Sequence, residues 1–302
     1  MDNVLALLPK KIQALFLALP KKYRIEEIRL RIYKPIEVVT ANHFFFLEGQ
    51  DEQSYVMTEE DMEYILNQLS EFSIYAFQEE MKQGYITTRG GHRVGIGGQV
   101  VHEQGKVVSI KHIRFFNIRI ANDFQGTAAP YLDKLLDTRY GHTLIIGSPQ
   151  SGKTTFLRDL ARSASEGVAA LNIPSRKVGI VDERSELAAC YQGIPSFEVG
   201  TRTDVLDACP KAEGMMMMIR SMSPEVIVAD EVGRKEDVEA IMEAVHAGVT
   251  IFCTVHGVSY EDVMKRPMIG ELLRYPIFKN IILLERQHDY INVKLENIRS
   301  VS

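Results

Sequence analysis

The chain has 302 residues, 45% of them hydrophobic and 25% charged, and a formal net charge of -5 at pH 7. This length holds one large domain or two ordinary ones, and the composition is that of a globular protein. The acidic balance argues against a protein whose main task is to coat nucleic acid. The three cysteines lack CxxC spacing, which indicates neither a disulfide framework nor a structural zinc site and favours a reducing compartment.

The first 20 residues are apolar but do not match a signal peptide, because Pro9-Lys10-Lys11 interrupts them and no positive charge precedes them. No stretch of the chain reaches the roughly 18 uncharged apolar residues of a membrane span. The spacing instead predicts an amphipathic helix, which we expect to pack on its own domain. Its apolar face carries Leu5, Leu8, Ile12, Leu15 and Leu19.

Up to residue 122 the sequence predicts a smaller α+β domain. Thr58 can cap the one clear helix of this half. Gly90-Gly91 marks the turn of a hairpin over residues 84–98. Further strands are predicted at residues 36–40, 44–47, 107–110 and 113–118.

From residue 123 onward, short apolar strands alternate with helices. Apolar strands joined by helices predict a mostly parallel sheet covered on both faces, and hence an α/β domain over residues 123–302. The predicted strands span residues 144–147, 178–182, 226–230 and 249–255, and a hairpin closes the chain at 280–284 and 290–295. The predicted helices span residues 153–164, 210–222 and 238–247.

The most specific motif is a glycine-rich loop that follows one of these apolar strands and opens a helix. That context is the one a phosphate-binding P-loop requires, since backbone N–H groups and the helix N-terminus attract phosphate. We expect Lys153 to bind the β and γ phosphates of ATP and Thr154 to offer its hydroxyl to Mg²⁺. The loop comprises Gly147, Ser148, Pro149, Gln150, Ser151, Gly152, Lys153, Thr154 and Thr155.

Two carboxylates, Asp230 and Glu231, follow the apolar residues 226–229. In open α/β sheets this carboxyl edge is where ligands bind. Asp230 is therefore a candidate to hold Mg²⁺, and Glu231 a candidate general base that activates the attacking water.

Asp182 and Glu183 close the strand predicted before that one. They form either a second acidic shell that orients water and metal or a solvated strand end with internal ion pairs. His256 closes the next strand, two residues after Thr254. The polar side chain of Thr254 and the imidazole at that edge can sense the γ-phosphate, although a lone histidine is more often structural.

The order of these motifs resembles the type II and type IV secretion ATPases, and within them a branch from endospore-forming bacteria. The distinctive stretches are Thr201–Lys211, Arg220–Glu225, Ala244–Gly248, Glu26–Arg31 and Gly90–Gly97. Residues 147–154 are similar to the family's Walker A motif and Asp230-Glu231 to its Walker B motif. Asp182, Glu183 and Glu186 are similar to its acidic box, and His256 to its histidine box.

The resemblance implies a RecA-like P-loop NTPase domain that is preceded in the chain by a smaller α+β domain. It also implies a homo-hexamer, with an arginine directed at a neighbouring subunit's nucleotide. Arg93 is the principal candidate for that arginine, and the others are Arg89, Arg29, Arg31 and Arg202. The resemblance further implies a membrane platform protein as partner and a cytoplasmic location on the mother-cell side, with membrane association through that partner alone. The acidic balance and the lack of interleaved aromatic and basic clusters predict no nucleic-acid partner. Two departures from the family are the missing four-cysteine zinc module and an acidic box that lacks proline and contains Arg184.

The sequence therefore predicts an ATP hydrolase that powers or assembles a sporulation-associated channel. A P-loop kinase for small molecules is one alternative, and it would transfer phosphate to an acceptor other than water. A RecA-like nucleic-acid translocase is the other, and single-stranded DNA would stimulate its turnover in a salt-sensitive way.

Overall fold

The computed structural model describes residues 1–20, 23–40, 43–49, 51–70, 84–136, 140–287 and 290–296. The chain divides into two compact units, Met1–Asn122 and Asp123–Ser302. Within these described ranges, the first unit has one hydrophobic core, and the second has two.

Unit 1 combines short helices with a six-stranded antiparallel sheet whose order is β3-β2-β1-β6-β5-β4. Its helices are α1 (Asp2–Leu5), α2 (Lys10–Ala18) and α3 (Glu59–Ser70). Its strands are β1 (Ile25–Arg31), β2 (Glu37–Thr40), β3 (Phe44–Phe46), β4 (Tyr85–Thr88), β5 (His92–Glu103) and β6 (Lys106–Arg119).

The amphipathic N-terminal segment packs on the core of its own unit, as expected, with Leu8 and Ile12 fully buried. It forms two helices rather than one, because Pro9 stands at the N-cap of α2 and cannot continue a preceding helix. The predicted strands at 107–110 and 113–118 are one strand, β6. His112 has a φ of 47°, and the β5–β6 register shifts between Gly97 and Gln99, so a bulge produces the apparent break.

His92, the first residue of β5, is buried, and its Nδ1 accepts a hydrogen bond from the amide of Ala121 at 3.0 Å. Burial, together with the positive N-terminal amine, lowers the pKa of His92 to about 4 from the ordinary 6.5. The folded protein therefore favours the neutral imidazole. This contribution to stability is complete above pH 6.5 and is lost as the pH falls from 6.5 towards 4.

We expect wild type to lose on the order of 3 kcal/mol of unfolding free energy relative to His92→Gln between pH 6.5 and pH 4. Glutamine retains an acceptor for the Ala121 amide but does not titrate. Urea unfolding of both proteins at several pH values measures the difference. A His92 NMR resonance that titrates near pH 6.5 would contradict the prediction.

Unit 2 contains a seven-stranded sheet in the order β13-β12-β7-β11-β10-β8-β9, in which every neighbouring pair is parallel except β12 and β13. Its strands are β7 (Thr143–Gly147), β8 (Val178–Asp182), β9 (Thr203–Asp207), β10 (Val226–Ala229), β11 (Thr250–His256), β12 (Asn280–Gln287) and β13 (Tyr290–Glu296). Its helices are α4 (Leu132–Leu135), α5 (Lys153–Glu166), α6 (Lys211–Ser221), α7 (Lys235–His246), α8 (Tyr260–Met264) and α9 (Pro267–Arg274).

The central strands of this sheet are buried on both faces. On β7, for example, Ile145 belongs to one core while Leu144 and Ile146 belong to the other. The predicted α/β fold, with a mostly parallel sheet that follows a smaller α+β unit in the chain, is confirmed. Because β7, β11, β10 and β8 are adjacent and parallel, their carboxyl ends meet at one edge of the sheet.

Candidate nucleotide-binding site

The P-loop connects the end of β7 to the start of α5. Gly152 caps the helix with a φ of 89°, a left-handed conformation that glycine adopts without strain. A Cβ on Gly147 would collide with Ser151 Oγ and lie 2.9 Å from the carbonyl oxygen of Leu284. Ser151 is fully buried, and its Oγ has no hydrogen-bond partner among the described residues. The loop is thus tightly folded and keeps a buried hydroxyl available for a ligand.

Lys153 lies inside this loop, with only 5% of its surface exposed. Its Nζ donates to the carbonyl oxygen of Ser148 at 2.8 Å and to Nδ1 of His256 at 3.3 Å. Burial lowers the pKa of Lys153, and the nearby charges of Asp230 and Glu231 partly oppose that shift. The amine is therefore held where the loop folds around it, at a cost in hydration that a bound anion would offset.

Asp230, immediately after β10, is held by hydroxyl groups from two other elements. Thr154 on α5 donates to Oδ2 at 2.6 Å, and the buried Thr254 on β11 donates to Oδ1. The backbone amide of Glu231 also donates to Oδ1 at 3.1 Å. A carboxylate oriented beside a threonine hydroxyl is an all-oxygen ligand set, the kind that suits Mg²⁺.

Glu231 has a backbone φ of 53°, unusual for a residue other than glycine, and its amide donates to Thr254 Oγ1 at 2.8 Å. Oε1 of Glu231 lies 2.8 Å from Nε2 of His256, and Oε2 accepts from Nη1 of Arg184 at 2.7 Å. Since Lys153 can only donate to Nδ1 of His256, the ring proton is on Nε2 and points to Glu231. Lys153, His256, Glu231 and Arg184 thus form one hydrogen-bonded chain.

Asp182 and Glu183, the two carboxylates at the end of β8, differ in their surroundings. Asp182 is buried and accepts hydrogen bonds from the amides of Glu186, Leu187 and Ala188 at 2.9, 2.9 and 2.8 Å. Burial nevertheless raises its pKa to about 6. Burial would also raise the pKa of Glu183, but the hydrogen bond and charge of Lys211, together with the charges of Arg234 and Arg184, keep that pKa below its ordinary value. Neither carboxylate is free of local partners.

Four of the arginines considered for a trans role have partners within their own units. In unit 1 the guanidinium of Arg93 lies 4.4 Å from the centre of the Tyr85 ring. Arg31 is paired with Glu37 at 2.7 Å, and Arg29 lies 3.7 Å from the same carboxylate. In unit 2, Arg202 donates to Oγ and the carbonyl oxygen of Ser175 at 2.7 and 2.9 Å. A trans role for Arg93 stays a prediction.

Two residues of the site, Arg184 and Lys211, were not among those predicted. They line a pocket at the carboxyl edge of the sheet, and Thr254, which was predicted at this edge as a polar side chain, bridges Asp230 and the Glu231 amide beneath it. The remaining residues lining the pocket are Asp182, Glu183, Glu186, Asp230 and Glu231.

Among the described residues, no helix is both long enough and apolar enough to cross a membrane. Nor do three or more His, Cys, Asp or Glu side chains cluster there as a metal site. Thr154 and Asp230 match the usual way in which Mg²⁺ is bound, through one or two protein oxygens together with substrate phosphates.

The fold and the site define a P-loop α/β protein with the architecture of the secretion ATPases. The pilus retraction motor PilT, solved with bound ADP, superimposes with a TM-score of 0.65 and 18% identity, over 93% of this chain and 81% of PilT. The ATPase DotB of Yersinia pseudotuberculosis gives a TM-score of 0.64 and 18% identity, over 97% of this chain and 80% of DotB. At these identities the likeness establishes the fold.

The profile of the family "Sporulation stage III, protein AA" matches residues 1–297. Stage III sporulation protein AA of Bacillus subtilis strain 168 is 48% identical over 288 residues, which cover 95% of this chain and 91% of that protein. The chain therefore belongs to the sporulation stage III protein AA family.

Proposed function

We propose that this chain hydrolyses ATP as a motor of the secretion-ATPase type and so powers or assembles a channel between mother cell and forespore during sporulation. The observation that carries the proposal is the hydrogen-bonded chain from Lys153 through His256 to Glu231, beside the Thr154–Asp230 pair. It joins a phosphate-binding amine to a carboxylate that can accept a proton. The family name and the likeness to pilus and secretion motors support the cellular role.

The P-loop, Gly147 to Thr155, binds the phosphates of ATP through the backbone N–H groups of its residues other than Pro149, and Lys153 neutralises phosphate charge. Thr154 and Asp230 hold Mg²⁺, and the oxygen ligands of this pair fit that ion. When bound, Mg²⁺ neutralises phosphate charge as the terminal phosphoryl group departs. Thr254 keeps Asp230 in this orientation from below.

Glu231 accepts a proton from the attacking water, and His256 orients the carboxylate through Nε2. Asp182 positions the loop that follows β8, since its carboxylate binds three amides of that loop. Glu183 holds Lys211 against the same pocket. We thus assign Asp182 and Glu183 to positioning, while Glu231 and Lys153 act on the reacting groups.

We further propose a homo-hexamer in which Arg93 of one subunit acts on the nucleotide of its neighbour. In this proposal the ring docks on a membrane platform protein at the cytoplasmic face of the mother-cell membrane and requires no nucleic acid. The net charge of -5 and the secretion-motor fold support this arrangement. Adding the platform's cytoplasmic domain should raise both oligomer size and ATP turnover.

The test is steady-state turnover of Mg²⁺·ATP by the purified chain in ¹⁸O-labelled water. We expect inorganic phosphate that carries oxygen from water, at a rate that single-stranded DNA does not change. Phosphate transferred to another acceptor would identify a kinase. Stimulation by DNA that falls with salt would identify a translocase. The proposed hydrolysis would be refuted if phosphate release did not exceed that of a protein-free sample.

A further inference from the structure

A salt bridge at the edge of the site joins two loops that follow neighbouring strands. Arg184 follows β8 and Glu231 follows β10, and Nη1 of the arginine lies 2.7 Å from Oε2 of the glutamate. The other carboxylate oxygen lies 2.8 Å from His256 Nε2. Each oxygen of Glu231 is therefore held by a donor from a different strand end, which fixes both the position and the plane of the carboxylate.

The loop that carries Arg184 is anchored on both sides of it. Asp182, two residues earlier, binds three backbone amides of the loop, and Glu183 is paired with the largely buried Lys211. Ser185, the next residue, donates from Oγ to Asp207 Oδ1 at 2.6 Å. Farther along, the buried Arg158 donates to the carbonyl oxygens of Glu186 and Leu187, each at 3.2 Å. The guanidinium thus extends from a preorganised support.

Backbone strain accompanies the salt bridge at both of its ends. Ser185, beside Arg184, and Glu231 itself each have a φ of 53°. Left-handed backbone costs free energy in residues other than glycine and persists only where the surroundings impose it, which occurs often at active sites. The salt bridge thus joins the strained residue Glu231 to Arg184, the neighbour of the strained Ser185.

A second arginine–glutamate pair provides an internal comparison. Arg176 and Glu225 precede β8 and β10, the same two strands, and are also 2.7 Å apart. That pair cross-links the amino ends of the strands, whereas Arg184 and Glu231 meet at the carboxyl ends, where the P-loop and Asp230 lie. Arg184 is also 61% exposed, and salt bridges this open contribute little to folding stability. The contribution of Arg184 is therefore the orientation that it gives to the Glu231 carboxylate.

We propose that Arg184 is a positioning residue for ATP hydrolysis: it holds the carboxylate of Glu231 where that group meets the attacking water. This inference rests on the hydrolysis proposed above, and it adds a hydrogen-bond donor to Glu231 from the same subunit. A glutamate side chain with three rotatable bonds explores many orientations when one oxygen loses its partner. General-base catalysis requires hydrogen-bond reach to one proton, so lost orientation lowers kcat without weakening nucleotide binding.

The test compares Arg184→Ala, Arg184→Lys and the control Arg176→Ala in full-length protein. We expect Arg184→Ala to lower kcat by about 10- to 100-fold with KM for ATP within twofold of wild type. Arg184→Lys recovers part of the loss, and Arg176→Ala keeps wild-type kcat. An unchanged or raised kcat in Arg184→Ala overturns the inference. A parallel rise in KM also overturns it, because that result places Arg184 on the nucleotide.

A turnover-independent measurement separates this inference from the proposed function. The melting temperatures of wild type, Arg184→Ala, Glu231→Ala and the double variant form a cycle. Because the two side chains are in contact but largely exposed, we expect a small non-additive shift, on the order of 1 °C. Additive shifts overturn the inference whatever the turnover. A wild type with no turnover but a non-additive cycle refutes the proposed hydrolysis while the contact stands. An active wild type with an equally active Arg184→Ala refutes the positioning role alone.

Discussion

Lys153→Ala is expected to weaken ATP binding strongly while the protein stays folded. The amine is the buried cation of the P-loop, placed between the Ser148 carbonyl oxygen and His256. Without it, backbone amides alone face the phosphate charge. Truncating one partner of a buried charge pair costs about 2–5 kcal/mol, so we expect affinity to fall by about 30-fold to several thousand-fold.

The folded state should tolerate this change, because burying the charged amine of Lys153 destabilises the fold. Burial lowers the pKa of Lys153 in the folded protein. Keeping the amine charged therefore costs folding free energy, and this cost is complete at every pH below the lowered pKa. Alanine removes this cost together with the two hydrogen bonds. We therefore expect the melting temperature of the nucleotide-free variant to stay within a few degrees of wild type.

Thermal unfolding with and without Mg²⁺·ATP measures both effects in one experiment, since a ligand stabilises only the state that binds it. The matched control is Lys235→Ala, which removes a 71% exposed lysine paired with Glu239 and should keep the full ATP-induced shift. A wild-type shift in Lys153→Ala would contradict the assignment of the P-loop. A variant that is unfolded without nucleotide would contradict the stability argument.

The central sheet of unit 2 was predictable because its strands are buried on both faces. The four predicted central strands match β7, β8, β10 and β11 to within one residue at each end. An apolar run bounded by polar residues is the direct consequence of double burial. The edge strand β9 was not predicted, since Thr203 to Asp207 are only partly buried and three of the five are polar.

Unit 1 was harder to predict, because its sheet is antiparallel and buried on one face. In β1 only Ile28 and Leu30 are buried, and charged residues occupy most of the other positions. Such a strand lacks the continuous apolar run that identified the central strands of unit 2. The turn at Gly90-Gly91 was predictable, because both residues adopt positive φ values, 85° and 71°, which only glycine adopts freely.

The residues of the candidate site that follow strands were predictable, but their pairing was not. Carboxyl ends of parallel strands share an edge, so Asp230, Glu231 and His256 were expected near the P-loop. The contact of Arg184 with Glu231 joins residues 47 positions apart. It follows from the placement of β10 beside β8, which hydrophobic periodicity does not specify. The three-amide site around Asp182 likewise exists only once the following loop has folded.

Glu231→Gln is expected to bind ATP as wild type does but to hydrolyse it about 10²- to 10⁴-fold more slowly. The amide keeps the size of the side chain and can still accept from one of its two donors, His256 or Arg184. It cannot take a proton from water. The P-loop contacts of Lys153 and Thr154 do not involve the exchanged atoms except through His256, so affinity should change little.

Single-turnover mixing of ATP with excess protein separates this effect from product release. The control is Glu225→Gln, which removes the same charge from a glutamate that is also 2.7 Å from an arginine, at the opposite ends of the same strands. It should keep the wild-type rate. Near-normal hydrolysis in Glu231→Gln would remove Glu231 as the base. Together with Lys153→Ala, these variants divide the hydrogen-bonded chain into a part that binds phosphate and a part that activates water.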